Sequence, residues 1–131
     1  MVLDSSAVLA ILFDETERGA FTQAIERDPR RLMSAGNVLE SALVAEARKG
    51  EPAGRELDLL LHRADIQVVP VDGDQVEFAR VAWRRFGKGR HPAGLNFGDC
   101  FAYALAASSG EPLLFKGDDF RQTDITAVES P

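Results

Sequence analysis

The sequence predicts a single α/β domain whose mostly parallel sheet of four to five strands is flanked by helices on both faces. Three observations carry that reading. The chain has 131 residues, the size of one domain that buries roughly 65–70% of the surface its unfolded form exposes. Apolar residues are 45% of it and charged residues 27%, which excludes disordered, collagen-like and coiled-coil classes. Short apolar runs alternate with longer stretches of helical periodicity, the pattern of repeated βα units.

The elements follow in order. Val2-Leu3 is a short apolar strand that meets a polar corner, Asp4-Ser5-Ser6, with Ser5 or Ser6 as candidate N-cap of a helix through Phe13. Glu15 to Arg27 places Ala20, Phe21, Ala24 and Ile25 at helical spacing. Asp28-Pro29 ends that helix, Arg31 to Ser34 is a second strand, and Gly36 to Lys49 is a helix. Gly50-Glu51-Pro52 is a break before a leucine-rich helix from Gly54 to Arg63, and Ile66 to Val71 is a third strand. Asp72 to Phe86 is a helix, followed by a basic glycine-rich loop from Gly87 to Gly94. Gly98 to Ser109 is an alanine-rich helix, Pro112 to Phe115 a fourth strand, and Ile125 with Ala127-Val128 a short edge strand. No repeat, low-complexity tract or linker divides the chain, so residues 1–131 read as one domain.

Composition narrows the chemistry. Cys100 is the one cysteine, so neither an internal disulfide nor a Cys-based zinc site is available. His62 and His91 are not at ligand spacing. No targeting peptide or membrane span is legible, and a cytoplasmic location without membrane partners is expected. With 15 Lys and Arg against 21 Asp and Glu, the formal net charge is −6. Such a balance argues at first against a nucleic-acid partner, because phosphate binding is driven by Lys and Arg.

The placement of particular acids points elsewhere. Ligands of open parallel sheets gather at the carboxyl ends of the strands. Asp4 ends the first strand, and Asp118-Asp119 follow the fourth. Glu40 shares a helical stripe with Leu43, Val44 and Ala47, and Asp99 one with Ala102, Tyr103 and Ala106. Each also has a structural explanation. Asp4 is a possible helix cap, Glu40 and Asp99 follow Asn37 and Asn96 by three residues as in a capping box, and Asp118-Asp119 are turn residues. Caps, however, are scattered over a domain, whereas these acids fall toward one sheet edge. Two carboxylates ~4 Å apart repel by about 4 kcal/mol at an effective dielectric near 20, a large part of a typical stability of ~5–15 kcal/mol. Convergence therefore requires protonation or a cation. An all-oxygen set favours Mg²⁺, with Mn²⁺ as the alternative, and such a centre suits phosphodiester hydrolysis.

Over essentially its whole length the chain resembles the PIN-domain ribonucleases, and among them the VapC toxins of type II toxin–antitoxin pairs. The resemblance runs from Met-Val-Leu-Asp4-Ser-Ser-Ala, through Glu40 in Ser-Ala-Gly-Asn-Val-Leu-Glu-Ser and Asp99 in Leu-Asn-Phe-Gly-Asp-Cys-Phe-Ala, to Leu-Leu-Phe-Lys-Gly-Asp118-Asp119-Phe120. It implies a PIN-like fold and an Mg²⁺-dependent endoribonuclease with Asp4 and Asp99 as metal ligands. It further implies that Glu40 completes the acidic cluster and positions or deprotonates the attacking water. Asp119, next to Phe120, is the favoured fourth acid and Asp118 the alternate; the family usually spaces its C-terminal acids one residue further apart than this adjacent pair. The resemblance also implies a homodimer and a separate antitoxin chain that occupies the active-site groove.

Other residues have competing readings. Trp83-Arg84-Arg85-Phe86-Gly87-Lys88-Gly89-Arg90-His91 clusters cations with aromatics. Arg84, Arg85, Lys88 and Arg90, together with Lys116 after the fourth strand, are candidate RNA contacts; equally, cations belong at a helix C-terminus. Ser5 and Ser6 are caps or ligands of metal-bound water, and Cys100 is expected to be a buried small hydrophobe. Trp83, Phe97, Phe101 and Tyr103 are expected to pack, with Phe97 flanking the acids. A non-cleaving PIN-like RNA or partner-binding module is the main alternative. A receiver-type phosphoacceptor domain shares the sheet class and a late lysine, but the first strand here carries one acid rather than an adjacent pair.

Overall fold

A computed structural model of the chain describes residues 1–129. Four strands form one parallel sheet: β1 (Val2–Leu3), β2 (Leu32–Ser34), β3 (Gln67–Val69) and β4 (Leu113–Leu114), in the order β3-β2-β1-β4. Among the described residues six helices surround it: α1 (Ser5–Leu12), α2 (Arg18–Arg27), α3 (Ala35–Lys49), α4 (Glu51–Arg63), α5 (Gly73–Phe86) and α6 (Phe97–Ser109). One 3-10 turn follows β4 at Asp119–Gln122.

The two-residue period of the strands sorts the core. Leu3, Met33 and Leu114 point to one face, where they meet Val8 and Ile11 of α1, Phe21 and Ile25 of α2, and Leu57 and Leu61 of α4. Val2, Leu32 and Leu113 point to the other face, against Ala82 and Phe86 of α5 and Ala102, Leu105 and Ala106 of α6. Helices therefore cover both faces, as the sequence predicts.

Element boundaries move for identifiable reasons. Asp4, rather than Ser5 or Ser6, caps α1, its carboxylate accepting from the Ser6 amide at 3.0 Å. Asp14 adopts a positive φ of 53°, so α2 starts at Arg18 and not at Glu15. The break between α3 and α4 shrinks to Gly50, whose φ of 75° suits glycine, and Pro52 is accommodated in the first turn of α4, where its missing amide costs no intrahelical bond. Pro70 has no amide to extend the ladder, and β3 ends at Val69. The expected fifth strand reduces to one parallel bridge, Leu113↔Ala127. No helix among the described residues is long and apolar enough to cross a membrane.

The strand order places a topological switch between β1 and β4. The chain steps outward from β1 to β2 to β3, then returns to the opposite side of β1, which opens a crevice at the carboxyl ends of β1 and β4. The backbone holds that edge closed, with the Asp4 amide donating to Leu114 O at 2.9 Å.

Leu57 is fully buried against the face that α1, α2 and α4 cover. Leu57→Ala is expected to lower the unfolding free energy by about 2–5 kcal/mol, read as a shift in urea midpoint at constant m-value.

Candidate active site

The acids singled out in the sequence come from four separate elements to the β1–β4 edge. Asp4 follows β1, is buried, and directs Oδ2 to two donors, the Ser6 amide at 3.0 Å and the Ser6 hydroxyl at 2.6 Å. The Ser6 hydroxyl in turn accepts from the Lys116 amide at 2.9 Å, which joins α1 to the segment after β4. Burial pushes the Asp4 carboxyl up to about 6, with the Glu40 charge adding to the rise and the Ser6 donors opposing it.

Glu40 projects from α3. Its Oε1 accepts from the Ser5 hydroxyl at 2.5 Å and from Asn37 Nδ2 at 3.3 Å. The Asn37 pairing is not the cap suggested by its spacing, because Ser34 caps α3 and Asn37 lies inside the helix. Asn37 is fully buried and ties α3 to α6 by donating to Gly98 O at 2.9 Å. Gly98 makes room for the Glu40 carboxylate, which a Cβ there would displace.

Asp99 stands at the third position of α6. Here the capping box is realised, with Asn96 Oδ1 accepting from the Asp99 amide at 2.9 Å and Asp99 Oδ2 accepting from the Asn96 amide at 3.0 Å. Burial pushes Asp99 up to about 7, against the Asn96 bond, and the charges of Asp4, Asp119 and Glu40 raise it further. Asp119, first residue of the 3-10 turn, is thus the member of the Asp118-Asp119 pair whose charge acts on Asp99.

Among the described residues no lysine or arginine forms an ion pair with Asp4, Glu40, Asp99 or Asp119. Nor are any three His, Cys, Asp or Glu side chains among those residues grouped so as to hold a metal ion. The acids nonetheless act on one another electrostatically. Hard carboxylate and hydroxyl oxygens without His or Cys fit Mg²⁺ or Mn²⁺ rather than zinc.

The basic candidates divide. Lys116 turns its ammonium to Glu15 at 3.1 Å and Glu17 at 3.6 Å. Arg85 pairs with Asp124 at 3.2 Å, an acid that also accepts from the Tyr103 hydroxyl at 2.7 Å. Arg84, Lys88 and Arg90 have no ion-pair partner among the described residues, and Arg90 lies over the Trp83 ring at 4.1 Å from its centroid. Cys100 and Tyr103 are buried, as expected. Trp83 and Phe97 are not core residues, being 45% and 80% exposed. Ser5, Asn37 and Gly98 complete the site in roles their positions alone do not reveal. A small residue preceding Asp99 and an Asn one turn before Glu40 were the visible traces.

A two-sided α/β fold with acids at its switch point defines the class. The family model of the PIN domain matches residues 1–125, and the chain belongs to the PIN domain family. Within it the chain belongs with the VapC ribonucleases: it is 59% identical, over 98% of its length and 99% of the relative's, to a protein of Mycolicibacterium smegmatis named Ribonuclease VapC. Solved structures share the fold. VapC20 of Mycobacterium tuberculosis, a Sarcin-Ricin loop cleaving toxin, superposes with a TM-score of 0.79 at 17% identity, covering 99% of this chain and 98% of that one. A toxin–antitoxin complex from Klebsiella pneumoniae gives 0.69 at 18% identity, covering 94% and 92%. The family assignment sets the receiver reading aside.

Raised carboxyl pKa values fix a sign for stability. The unfolded Asp ionises near 3.9, before its folded counterpart, so the folded state holds more protons between that pH and about 7. Stability contributed by the protonated site is present at low pH and lost as pH rises through this window. Asp99→Asn cannot ionise and retains an oxygen acceptor for the Asn96 amide. In EDTA its melting temperature is expected to exceed the parent's by a margin that widens from pH 5 to pH 8. A margin independent of pH would contradict the assignment.

Proposed function

We propose that the chain is a metal-dependent endoribonuclease, the toxin of a toxin–antitoxin pair, hydrolysing RNA phosphodiester bonds at the β1–β4 edge. The observation that carries the reading is the meeting of Asp4, Glu40, Asp99 and Asp119 from four elements of a VapC-family chain with no cation among them.

Asp4 and Asp99 would hold an Mg²⁺ ion, with Mn²⁺ as a substitute, and Asp119 would complete its acidic surroundings. When bound, such an ion activates water and stabilises charge on the attacked and leaving oxygens. Glu40 supplies the base. Its Oε1 is fixed by Ser5 and Asn37, which leaves Oε2 to take the proton of the water attacking phosphorus as the ribose oxygen departs. Ser6 orients Asp4, and the Asn96 amide orients Asp99. Arg84, Lys88 and Arg90 would contact the RNA, while Arg85 and Lys116 would first have to leave their acidic partners.

The family relationship also supports a cognate antitoxin as partner, as in the Klebsiella complex. A homodimer and a cytoplasmic location complete the reading.

RNA cleavage with Mg²⁺ or Mn²⁺ tests it. Purified protein is expected to cut RNA with either ion and to stop in EDTA. Asp99→Asn removes several kcal/mol of charge stabilisation and should lower the rate on the order of 100-fold or more. A folded Asp99→Asn protein that cuts as fast as the parent sinks the mechanism, and a parent that binds RNA without cutting it would favour the non-cleaving module.

Gly98→Ala is a subtler probe. The added methyl displaces the Glu40 carboxylate without altering any acid, and displacement of a base by about 1 Å costs roughly 100-fold in rate. Loss of kcat with unchanged KM and melting temperature is the expected pattern.

A further inference from the structure

Asp4, Glu40 and Asp99 have their carboxylates held by direct hydrogen bonds from Ser6, from Ser5 and Asn37, and from the Asn96 amide. Among the described residues the Asp119 carboxylate has no donor of its own. Its place depends on the segment that carries it, Lys116-Gly117-Asp118-Asp119-Phe120, of which all but Phe120 are exposed. Gly117 adopts a φ of 97°, a conformation that favours glycine and leaves the turn pliant. Such a stretch holds a carboxylate steady only if both of its ends are anchored.

The far anchor is apolar: Phe120 is buried and packs on Phe115 at 5.3 Å between ring centroids. The near anchor is Lys116, which uses both ends of the residue. Its amide donates to the Ser6 hydroxyl at 2.9 Å, the same hydroxyl that donates to Asp4 at 2.6 Å. Its ammonium lies 3.1 Å from Glu15 and 3.6 Å from Glu17, in the turn between α1 and α2. The bond to Glu15 and the charges of both acids hold that ammonium above its usual pKa range.

The turn that receives it is itself fixed. Asp14 takes a φ of 53°, and the Glu15 amide donates back to Ala10 O at 2.8 Å. Glu17 Oε1 is shielded from water without a hydrogen-bond donor, and the cation facing it is Lys116. Removing a carboxylate oxygen from water is costly unless a charge compensates. Ion pairs at a protein surface add little to stability, because solvent screens them. The importance of these pairs is therefore one of position: a single residue joins three segments beside two of the acids.

We infer that Lys116 is a positioning residue, whose amide and ammonium clasp the segment after β4 to α1 and to the Glu15–Glu17 turn and so hold Asp119 in register with Asp4. The inference rests on the ribonuclease reading for the reaction it serves. It takes Lys116 out of the RNA contacts and gives Glu15 and Glu17 a role.

Glu15→Ala/Glu17→Ala leaves Lys116 in place without its partners, so the two possible roles of the lysine predict opposite results. For a clasp, the double variant and Lys116→Met should each lower kcat roughly 10-fold, with KM and melting temperature near the parent's, because displacement by less than about 1 Å suffices for such a loss. Lys116→Arg keeps the ion pairs and should restore most of the rate. For an RNA contact, the freed ammonium would instead lower KM in the double variant, and Lys116→Met would raise KM with kcat unchanged. That pattern overturns the inference, as does a Lys116→Arg protein no faster than Lys116→Met.

A second readout needs no catalysis. In EDTA, the backbone amide heteronuclear NOEs of Gly117, Asp118 and Asp119 should fall in the double variant while those of α3 and α6 hold; unchanged values overturn the inference. The two readings fail separately. A double variant that cuts RNA as fast as the parent removes the clasp and leaves the nuclease. A parent that does not cut removes the nuclease, and the amide NOEs then decide the clasp alone.

Discussion

Carboxylates gathered away from water lose hydration and repel one another, and much of the structure around the β1–β4 edge answers that constraint. Every direct hydrogen bond offered to Asp4, Glu40 and Asp99 comes from a neutral group: the Ser6 amide and hydroxyl, the Ser5 hydroxyl, the Asn37 side chain and the Asn96 amide. Neutral donors fix the position of an acid without cancelling its charge. Lys116 contributes only its backbone amide, through Ser6, while its ammonium faces Glu15 and Glu17. Burial is the main cause of the upward displacement of Asp4 and Asp99 to about 6 and about 7, and the charges of neighbouring acids, which no cation offsets, add to it. A site left in that condition stores electrostatic strain at a cost in stability.

The same bonds make the fold and the site inseparable. Asp4 is at once the N-cap of α1 and a member of the acidic group, and Asp99 belongs at once to the capping box of α6 and to that group. Capping and clustering look like alternatives when each acid is considered alone. They coincide because a helix that begins at the carboxyl end of a strand presents its positive end to the switch-point crevice. The macrodipoles of α1 and α6 thereby offset part of the repulsion among their own acids. Asn37 extends the coupling by bonding Glu40 and the Gly98 carbonyl with one amide group.

These particulars show what a single chain discloses. The alternation of Val2 with Leu3, Leu32 with Met33 and Leu113 with Leu114 between two core layers is local and periodic, so the two-sided sheet is legible from residue spacing. Asp4 and Asp119 are legible because strand ends are, and Glu40 and Asp99 because they share helical stripes with apolar residues. The contacts between Ser5 and Glu40 and between Glu40 and Gly98 are not, since they join residues 35 and 58 positions apart in sequence and depend on how α3 meets α1 and α6. Arg85 and Lys116 show the same gap: one sits among basic residues in sequence and the other beside Asp118-Asp119, and the fold pairs them with Asp124 and with Glu15 and Glu17. Trp83 and Phe97 have the composition of core residues, and only the spacing of α5 and α6 leaves their rings in contact with water.

A net charge of −6 is a poor guide to where a polyanion could approach such a molecule. Screening limits exposed charges to about 8–10 Å at physiological salt, so separate patches act nearly independently. Several of the acids are spent internally, as Glu15 and Glu17 on Lys116 and Asp124 on Arg85 and Tyr103. Asp4, Glu40, Asp99 and Asp119 act together at one edge, where a divalent ion would reverse part of their field. Beside them the α5–α6 surface carries arginines and aromatic rings with no acid lining it. The charge is then divided between an acidic edge and a wall of arginines and aromatic rings without acids, and the total averages away both halves of that arrangement.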